Sequence, residues 1–227
     1  MKSILLTLVL IFSCTQLKAN LLTNGSFETH DAAVNSGTGL TQFIDNPTTY
    51  LNNSWTFGRT AGTGGNPRFH WYSTTNQQFW QNNPQDGSYA IQLNSDNTTD
   101  FIYVEQSVNV ISGTLYQLSF FYVDESAIPI ANPTSVRADL TGAFVGNQTF
   151  TNTIDNTWQQ GIITFTAAST GSLTIRFTDQ PPAGNNNQNV SMDNISLIVV
   201  PEPSTYAMGI LLVLAVGGFH FWRRREA

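Results

Sequence analysis

The strongest constraint on this chain is a period of two. From residue 88 to residue 200 it runs in short stretches of alternating apolar and polar residues, separated by Gly, Asn and Pro. Successive side chains of a strand point to opposite faces, so each stretch has one dry and one wet side. FIYVEQSVNV (101–110) puts Ile102, Val104, Val108 and Val110 on one side. TLYQLSFFYV (114–123) does the same with Tyr116, Leu118, Phe120 and Tyr122. SYAIQLN (88–94), a weaker TSVRADL (134–140) and a closing NVSMDNISLIVV (189–200) continue the pattern. WQQGIITFTA (158–167) and SLTIRFTD (172–179), joined by Ala168-Ser169-Thr170-Gly171, predict a hairpin.

Residues 30–87 are less regular. NSGTGL, GRTAGTGGNPR and NNPQDG are turn and loop material, with short aromatic strands expected at WTFG (55–58) and RFHWYS (68–73). Together with an N-terminal LLTNGSFE, this gives eight to ten strands and no amphipathic helix. The expected fold is an all-β, two-sheet sandwich of the jelly-roll, galactose-binding-like kind over residues 20–200.

The two ends are different in kind. Residues 1–19 hold Lys2, an apolar run from Ile4 to Phe12 and a polar stretch ending in Ala19. That is the layout of a secretory signal peptide, with Asn20 as the expected first mature residue. Nine apolar residues are too few to cross about 30 Å of hydrocarbon. Ile11-Phe12-Ser13-Cys14 loosely resembles a lipoprotein cleavage box, although Phe12 is bulky for one. At the other end, Pro201-Glu202-Pro203 precedes an uncharged run from Tyr206 to Trp222, followed by Arg223, Arg224 and Arg225. As a helix that run spans about 26 Å, with aromatics at both ends, and the arginines would hold its terminus in the cytoplasm. A transmembrane helix over 206–222 is therefore expected. The prolines should keep the preceding segment extended and accessible.

Charge narrows the functions open to the body. Residues 20–200 carry four arginines, no lysine and thirteen acids, a net charge of −9. Such a surface repels phosphate backbones, which argues against nucleic acid as a partner, and it suits neutral sugars and divalent cations. Cys14, in the leader, is the only cysteine, so disulfides and thiolate metal sites have no place in the exported part.

Pro-Glu-Pro, an uncharged helix and an arginine cluster, in that order at a chain end, resemble the PEP-CTERM sorting signal. The resemblance covers residues 201–227. It implies a Gram-negative bacterium, export, a transient stop in the inner membrane, processing by an exosortase, and delivery to the cell surface or matrix alongside exopolysaccharide or biofilm.

The body carries a looser likeness. Asn24-Gly25-Ser26-Phe27-Glu28, Trp55, Asp86-Gly87-Ser88-Tyr89-Ala90, Gln106-Ser107-Val108, Gly113-Thr114-Leu115-Tyr116 and Met192-Asp193-Asn194-Ile195 occur in one order. That order is similar to jelly-roll carbohydrate-binding modules of the family 4/9/22 kind. The resemblance implies a structural calcium tying the first strand to the last, through Glu28, Asp193 and carbonyls near Gly25. The alternative for both acids is a solvated strand edge. Glycan binding needs flat aromatic faces and amide partners, and the surplus of aromatics lies in 55–80. Trp71 and Tyr72, adjacent and so on opposite faces, cannot both be core; they and Trp80, set among Asn and Gln, are the candidate platforms, with Trp55 assigned to the core. Catalysis has little to stand on. His70 could serve as a base, and Asp124-Glu125 or Asp96 with Asp100 could be acid pairs, but the nucleophile, zinc and phosphate-loop motifs are absent. The expected function is that of a non-enzymatic surface or matrix protein, binding glycans or purely structural, with a polysaccharide hydrolase as the remote alternative.

Overall fold

The computed structural model describes residues 19–29, 41–43, 50–52, 54–60, 68–73, 82–95, 101–124, 134–154, 156–180 and 189–201. Within them lie twelve strands: β1 (Thr41–Phe43), β2 (Tyr50–Asn52), β3 (Trp55–Arg59), β4 (Arg68–Ser73), β5 (Tyr89–Asn94), β6 (Ile102–Val110), β7 (Leu115–Asp124), β8 (Ser135–Gly142), β9 (Gly146–Thr151), β10 (Gln159–Thr166), β11 (Gly171–Gln180) and β12 (Asn189–Val199). They form two six-stranded antiparallel sheets, in the order β1-β4-β5-β12-β7-β10 and β2-β3-β6-β11-β8-β9. From β5 to β12 the chain changes sheet at every connection except the β8–β9 hairpin. This crossing pattern is that of a jelly roll, and the described residues include no helix.

The alternation read from the sequence is what divides dry from wet. Tyr116, Leu118, Phe120 and Tyr122 of β7 are buried between the sheets, as are Val136, Ala138 and Leu140 of β8 and Leu173, Ile175 and Phe177 of β11. One end of the core is aromatic. Phe27 sits 5.4 Å, centroid to centroid, from both Trp55 and Trp71, and Trp71 packs edge-on to Phe57 and Phe69. Trp55 is a core residue, as expected.

Three expectations change. The segments 158–167 and 172–179 are not a hairpin: β10 pairs with β7 in the first sheet, while β11 lies between β6 and β8 in the second. Both edges of β11 are taken, leaving no place for β10. Four linking residues extend to about 13 Å, enough to cross the ~10 Å between sheets as well as to turn within one. The N-terminal LLTNGSFE is not a strand but a bent strap, tied to β12 through Leu21 N–H to Leu197 O (2.8 Å) and Ile195 N–H to Gly25 O (2.8 Å). Finally, the strands number twelve among the described residues, because β1, β2 and β9 were too short or too weakly patterned to be expected.

Candidate functional site

The first sheet has an unusual outer face. Its inner side carries Phe69, Trp71, Ile91, Leu93, Val190 and Met192, all buried in the core. Residues of opposite parity face outward, where solvated side chains are the norm. Here they are polar and yet buried: His70, Gln92 and Ser191 are 6%, 0% and 0% exposed. Register aligns them in one row, His70 opposite Gln92 and Gln92 opposite Ser191. The imidazole Nδ1–H donates to Gln92 Oε1 at 2.8 Å. One step along, Asn94 faces Asn189. Asn94 Oδ1, Asn189 Oδ1 and Ser191 Oγ are buried without a hydrogen-bond partner. Burying such oxygens unpaired costs on the order of 1–3 kcal/mol each, so an arrangement of three on one face calls for groups that would satisfy them.

At the other margin of this face, Tyr72 lies opposite Ala90. Both are fully buried, with Trp158 packed over them. The Trp158 indole N–H donates to Asn83 O (2.9 Å), pinning the segment that enters β5.

The strap and the turn at 85–89 meet beside this face. Glu28, exposed, accepts from the N–H groups of Ser88 (2.9 and 3.0 Å) and Tyr89 (3.0 Å). Asp193, fully buried, accepts from Asp86 N–H (2.9 Å) and Asn194 N–H (2.7 Å). Burial pushes its carboxyl up to about 7, against these amide donors, with nearby Asp86 adding to the rise. The two acids thus grip one turn from two directions. The strand bulges just beyond Asp193, where Asn194 takes the left-handed conformation (φ 48°) and its side chain donates to Gln85 Oε1. Two glycines are required here. A Cβ on Gly25 would overlap the Ile195 carbonyl oxygen, and Gly87, at φ +65°, lies against the Glu28 carboxylate.

The predicted site residues therefore separate. Glu28, Gly25 and Asp193 come together around the strap and turn. Trp71 does not present a platform: it is 2% exposed within the inter-sheet core. Tyr72 does point to the opposite face, but it too is buried, because that face is itself covered. The expectation that only one of the two could be interior is corrected on this ground. Trp80 lies outside the described residues, as do Glu202, Pro203, the 206–222 segment and Arg223–Arg225; Pro201 directly follows β12 and its short C-terminal extension. Among the described residues no helix is long and apolar enough to cross a membrane. The outer-face row was missed in the sequence. Gln92, Asn94, Asn189 and Ser191 read as ordinary wet positions of alternating strands, and the alternation carries no sign that the wet side is enclosed.

A hard cation would find oxygen donors near the strap. Among the described residues no three His, Cys, Asp or Glu side chains are placed to share one ion. Side chains would then supply two carboxylates, Glu28 and Asp193, and the Gly25 carbonyl would be a third donor. Each carboxylate has about four lone-pair sites, so the amide bonds already made leave capacity. The donor chemistry fits calcium, provided backbone carbonyls and water complete the shell.

No protein-family model and no curated protein matches the sequence. Solved structures similar to this chain exist. The enzymatically active domain of bacteriophage CBA120 tailspike protein 4 is similar over 80% of this chain and 21% of that one, with 13% identity and a TM-score of 0.50. TmCBM61, solved in complex with beta-1,4-galactotriose, is similar over 80% of this chain and 99% of that one, at 13% identity and a TM-score of 0.49. The CBM22-1 xylan-binding domain from Paenibacillus barcinonensis Xyn10C covers 82% of this chain and 97% of its own, at 12% identity and a TM-score of 0.44. At such identities the likeness concerns the sandwich fold alone.

Proposed function

We propose that this sandwich is a non-catalytic extracellular module that binds a neutral glycan on the outer face of its first sheet. The observation that carries this reading is the row of polar groups without partners on that face; the row itself is buried, so the ligand would have to reach it from the margin marked by the half-buried Trp158. Asn94, Asn189 and Ser191 present buried oxygens without partners beside the His70–Gln92 pair, with Tyr72 and Trp158 at the margin. Amides, a hydroxyl and an imidazole in register are the groups that hold sugar hydroxyls, and the half-buried Trp158 flanks them. Binding of galactotriose or xylan, named for two of the similar structures, belongs to those proteins; the class of ligand proposed here, a neutral saccharide, follows from the side chains and from the net charge of −9 over residues 20–200.

The test is co-sedimentation of the purified full chain with a panel of neutral polysaccharides. Asn189→Ala should weaken binding at least tenfold, the equivalent of about 1.4 kcal/mol. It should leave the unfolding midpoint unchanged or raised, since it removes a buried group without a partner. Trp80→Ala should also weaken binding. Full retention by both variants overturns the reading and leaves a purely structural matrix component. Turnover of any polysaccharide in the panel would instead support a hydrolase.

The same proposal places the protein outside the cell. Residues 1–19 would direct export, 206–222 would halt transiently in the inner membrane with Arg223–Arg225 inside, and an exosortase would process the chain at Pro201-Glu202-Pro203. What supports this is the order of the three tail features in the sequence and the end of the sheet: the last backbone bond, Val200 N–H to Leu115 O (2.8 Å), lies one residue before Pro201. A topology reporter fused after Ala227 should read cytoplasmic; a periplasmic signal removes the sorting role. We also propose a structural calcium held by Glu28, Asp193 and the Gly25 carbonyl, closing the strap onto the turn. If that ion is present, chelator lowers the melting temperature of the native chain but not of Glu28→Gln.

A further inference from the structure

The two sides of the sandwich end differently. On one side the edge strands are β1 and β2, of three residues each. On the other they are β10, of eight residues, and β9, of six. These two long edges lie together: Tyr122 Oη is 3.4 Å from Thr151 O and 3.2 Å from Gln159 Oε1, and Phe144 stacks on Phe165 at 4.7 Å. An edge strand offers a row of backbone N–H and C=O groups, which folds blunt by shortness, a charge, a proline or a bulge. β10 has none of these. Residues Gln159 to Thr166 include no charge and no proline, and all eight pair with β7 without a shift of register. Among the described strands none pairs with the other edge of β10.

The outer row of β10 is open to solvent. Gln160, Ile162, Thr164 and Thr166 are exposed, while Gly161 and Phe165 are buried. Ile162 is 45% exposed, and Val145 and Ile154, on either side of β9, are 78% and 53% exposed. Three of the six large apolar side chains exposed among the described residues thus fall within 145–162. The same stretch is almost free of charge. From Leu140 to Ile175 the only charged residue is Asp155, in a body (residues 20–200) of net charge −9. Two such bodies repel one another, and this side is where they can approach at the least Coulombic cost. The partner that brings the same neutrality and the same open edge is a second copy of the chain.

A strand that pairs antiparallel with its own copy does so about a two-fold axis, the isologous arrangement. Directly opposed residues share a face of the sheet, so the axis passes through a residue. With the axis at Ile162, that isoleucine lies opposite Ile162 of the second copy, and Gln160 lies opposite Thr164. This register covers the exposed isoleucine, opposes only neutral side chains, and over 159–165 makes roughly six to eight backbone hydrogen bonds. We propose that the β10 edge is a self-association surface, at which two copies pair antiparallel about Ile162 and join their first sheets into one. A single strand edge is a small interface, so the pairing is reversible and depends on concentration. The two-fold leaves both outer faces on one side of the joined sheet, which, on the reading above that this face binds glycan, makes the pair bivalent.

The test needs no glycan, so its failure is distinct from failure of that reading. It uses the full chain in detergent, with Cys14→Ser so that an introduced cysteine is the only thiol. Under mild oxidation Ile162→Cys should form a disulfide-linked dimer at least tenfold faster than Thr164→Cys. In the proposed register the Cβ atoms at 162 lie about 5 Å apart, whereas the two copies of 164 are offset by four residues, about 13 Å, too far to bridge. Gln160→Cys combined with Thr164→Cys should restore fast cross-linking. In sedimentation at rising protein concentration the native chain should pass from monomer to dimer. Ile162→Lys sets two like charges directly opposite each other and should raise the concentration needed at least tenfold. Since residue 162 is exposed, the melting temperature should stay at the native value. Three results overturn the proposal: equal cross-linking rates at 162 and 164; a dimer that survives Ile162→Lys, as one held by residues 206–222 would; or assemblies growing beyond the dimer, the mark of a head-to-tail contact.

Discussion

Asp193 is where the chemistry of a single residue is most exposed to measurement. Its carboxylate lies in the turn gripped by the strap, and burial raises its pKa from 3.8 to about 7. The native state therefore holds a proton that the unfolded chain has released between those two values. Stability contributed by this group is full below about pH 4, declines as pH rises toward 7, and is flat beyond, a loss of at most about 4 kcal/mol at 1.36 kcal/mol per pKa unit. In chelator, the unfolding free energy of the native chain should fall across that window. Asp179 adds a slope of the same sign, so the diagnostic is the difference from Asp193→Asn, in which the Asp193 part vanishes. A native profile matching that of the variant would show Asp193 ionised throughout. At this scale the sequence was legible only in part. The Asn-Gly-Ser-Phe-Glu and Met-Asp-Asn-Ile stretches lie side by side in the structure, Ile195 N–H donating to Gly25 O. They did not reveal that Glu28 reaches the turn at Ser88 and not β12 itself, nor that Tyr72 would be buried: parity fixes which face a side chain takes, and burial depends on what covers that face.

The strap is the element on which closure of the sandwich depends. Asn20 accepts from Leu22 N–H (3.0 Å) and Leu197 N–H (2.9 Å), and donates to Ile195 O (3.0 Å). Gln106 grips Thr23 on both sides, accepting from its N–H and donating to its C=O. Leu22 and Phe27 are thereby driven into the core, and Trp55 donates its indole N–H to Asn24 O (2.9 Å). Asn20→Ala removes three bonds at once, each with a net worth of about 1 kcal/mol. The expected effect is a loss of roughly 1–3 kcal/mol, seen as a lower urea midpoint at unchanged slope; a midpoint equal to that of the native chain would mean the strap does not hold the fold. The long strands β6, β7 and β11 were readable because each keeps its alternation for nine or more residues, and β12 because it alternates on either side of its bulge. The strap was not, since its Leu-Leu-x-x-x-x-Phe spacing mimics a strand edge while its conformation is set by side-chain bonds to residues 83 and 177 positions away. The pairing of β10 was unreadable for a related reason: a four-residue link is compatible with either sheet, and only the filled edges of β11 decide.

At the level of the whole molecule, the two ends of the sandwich converge. Asn20, the expected first mature residue, is bonded to Leu197, and the last strand is finished by Val200 N–H to Leu115 O (2.8 Å). Pro201 then follows, with no N–H to extend the ladder. Both predicted processing points thus lie immediately outside residues that the fold uses, and neither lies inside them. Cutting after Ala19 frees Asn20 without removing any bond it makes, and cutting at Pro201–Pro203 leaves β12 whole. The strap and β12 also brace each other, through Leu21 N–H to Leu197 O and Ile195 N–H to Gly25 O, so a cut a few residues further in at either end would open the same seam. The intact mass of protein recovered outside the cells should accordingly correspond to a chain beginning at Asn20 and ending within Pro201–Ser204. Its melting temperature should match that of the same sandwich with the tail still attached, because every strap and β12 bond named above is retained. Released protein that retains residues 206–222, or that begins downstream of Asn20 yet melts at the same temperature, would contradict both the sorting role of the tail and the structural role given to the strap.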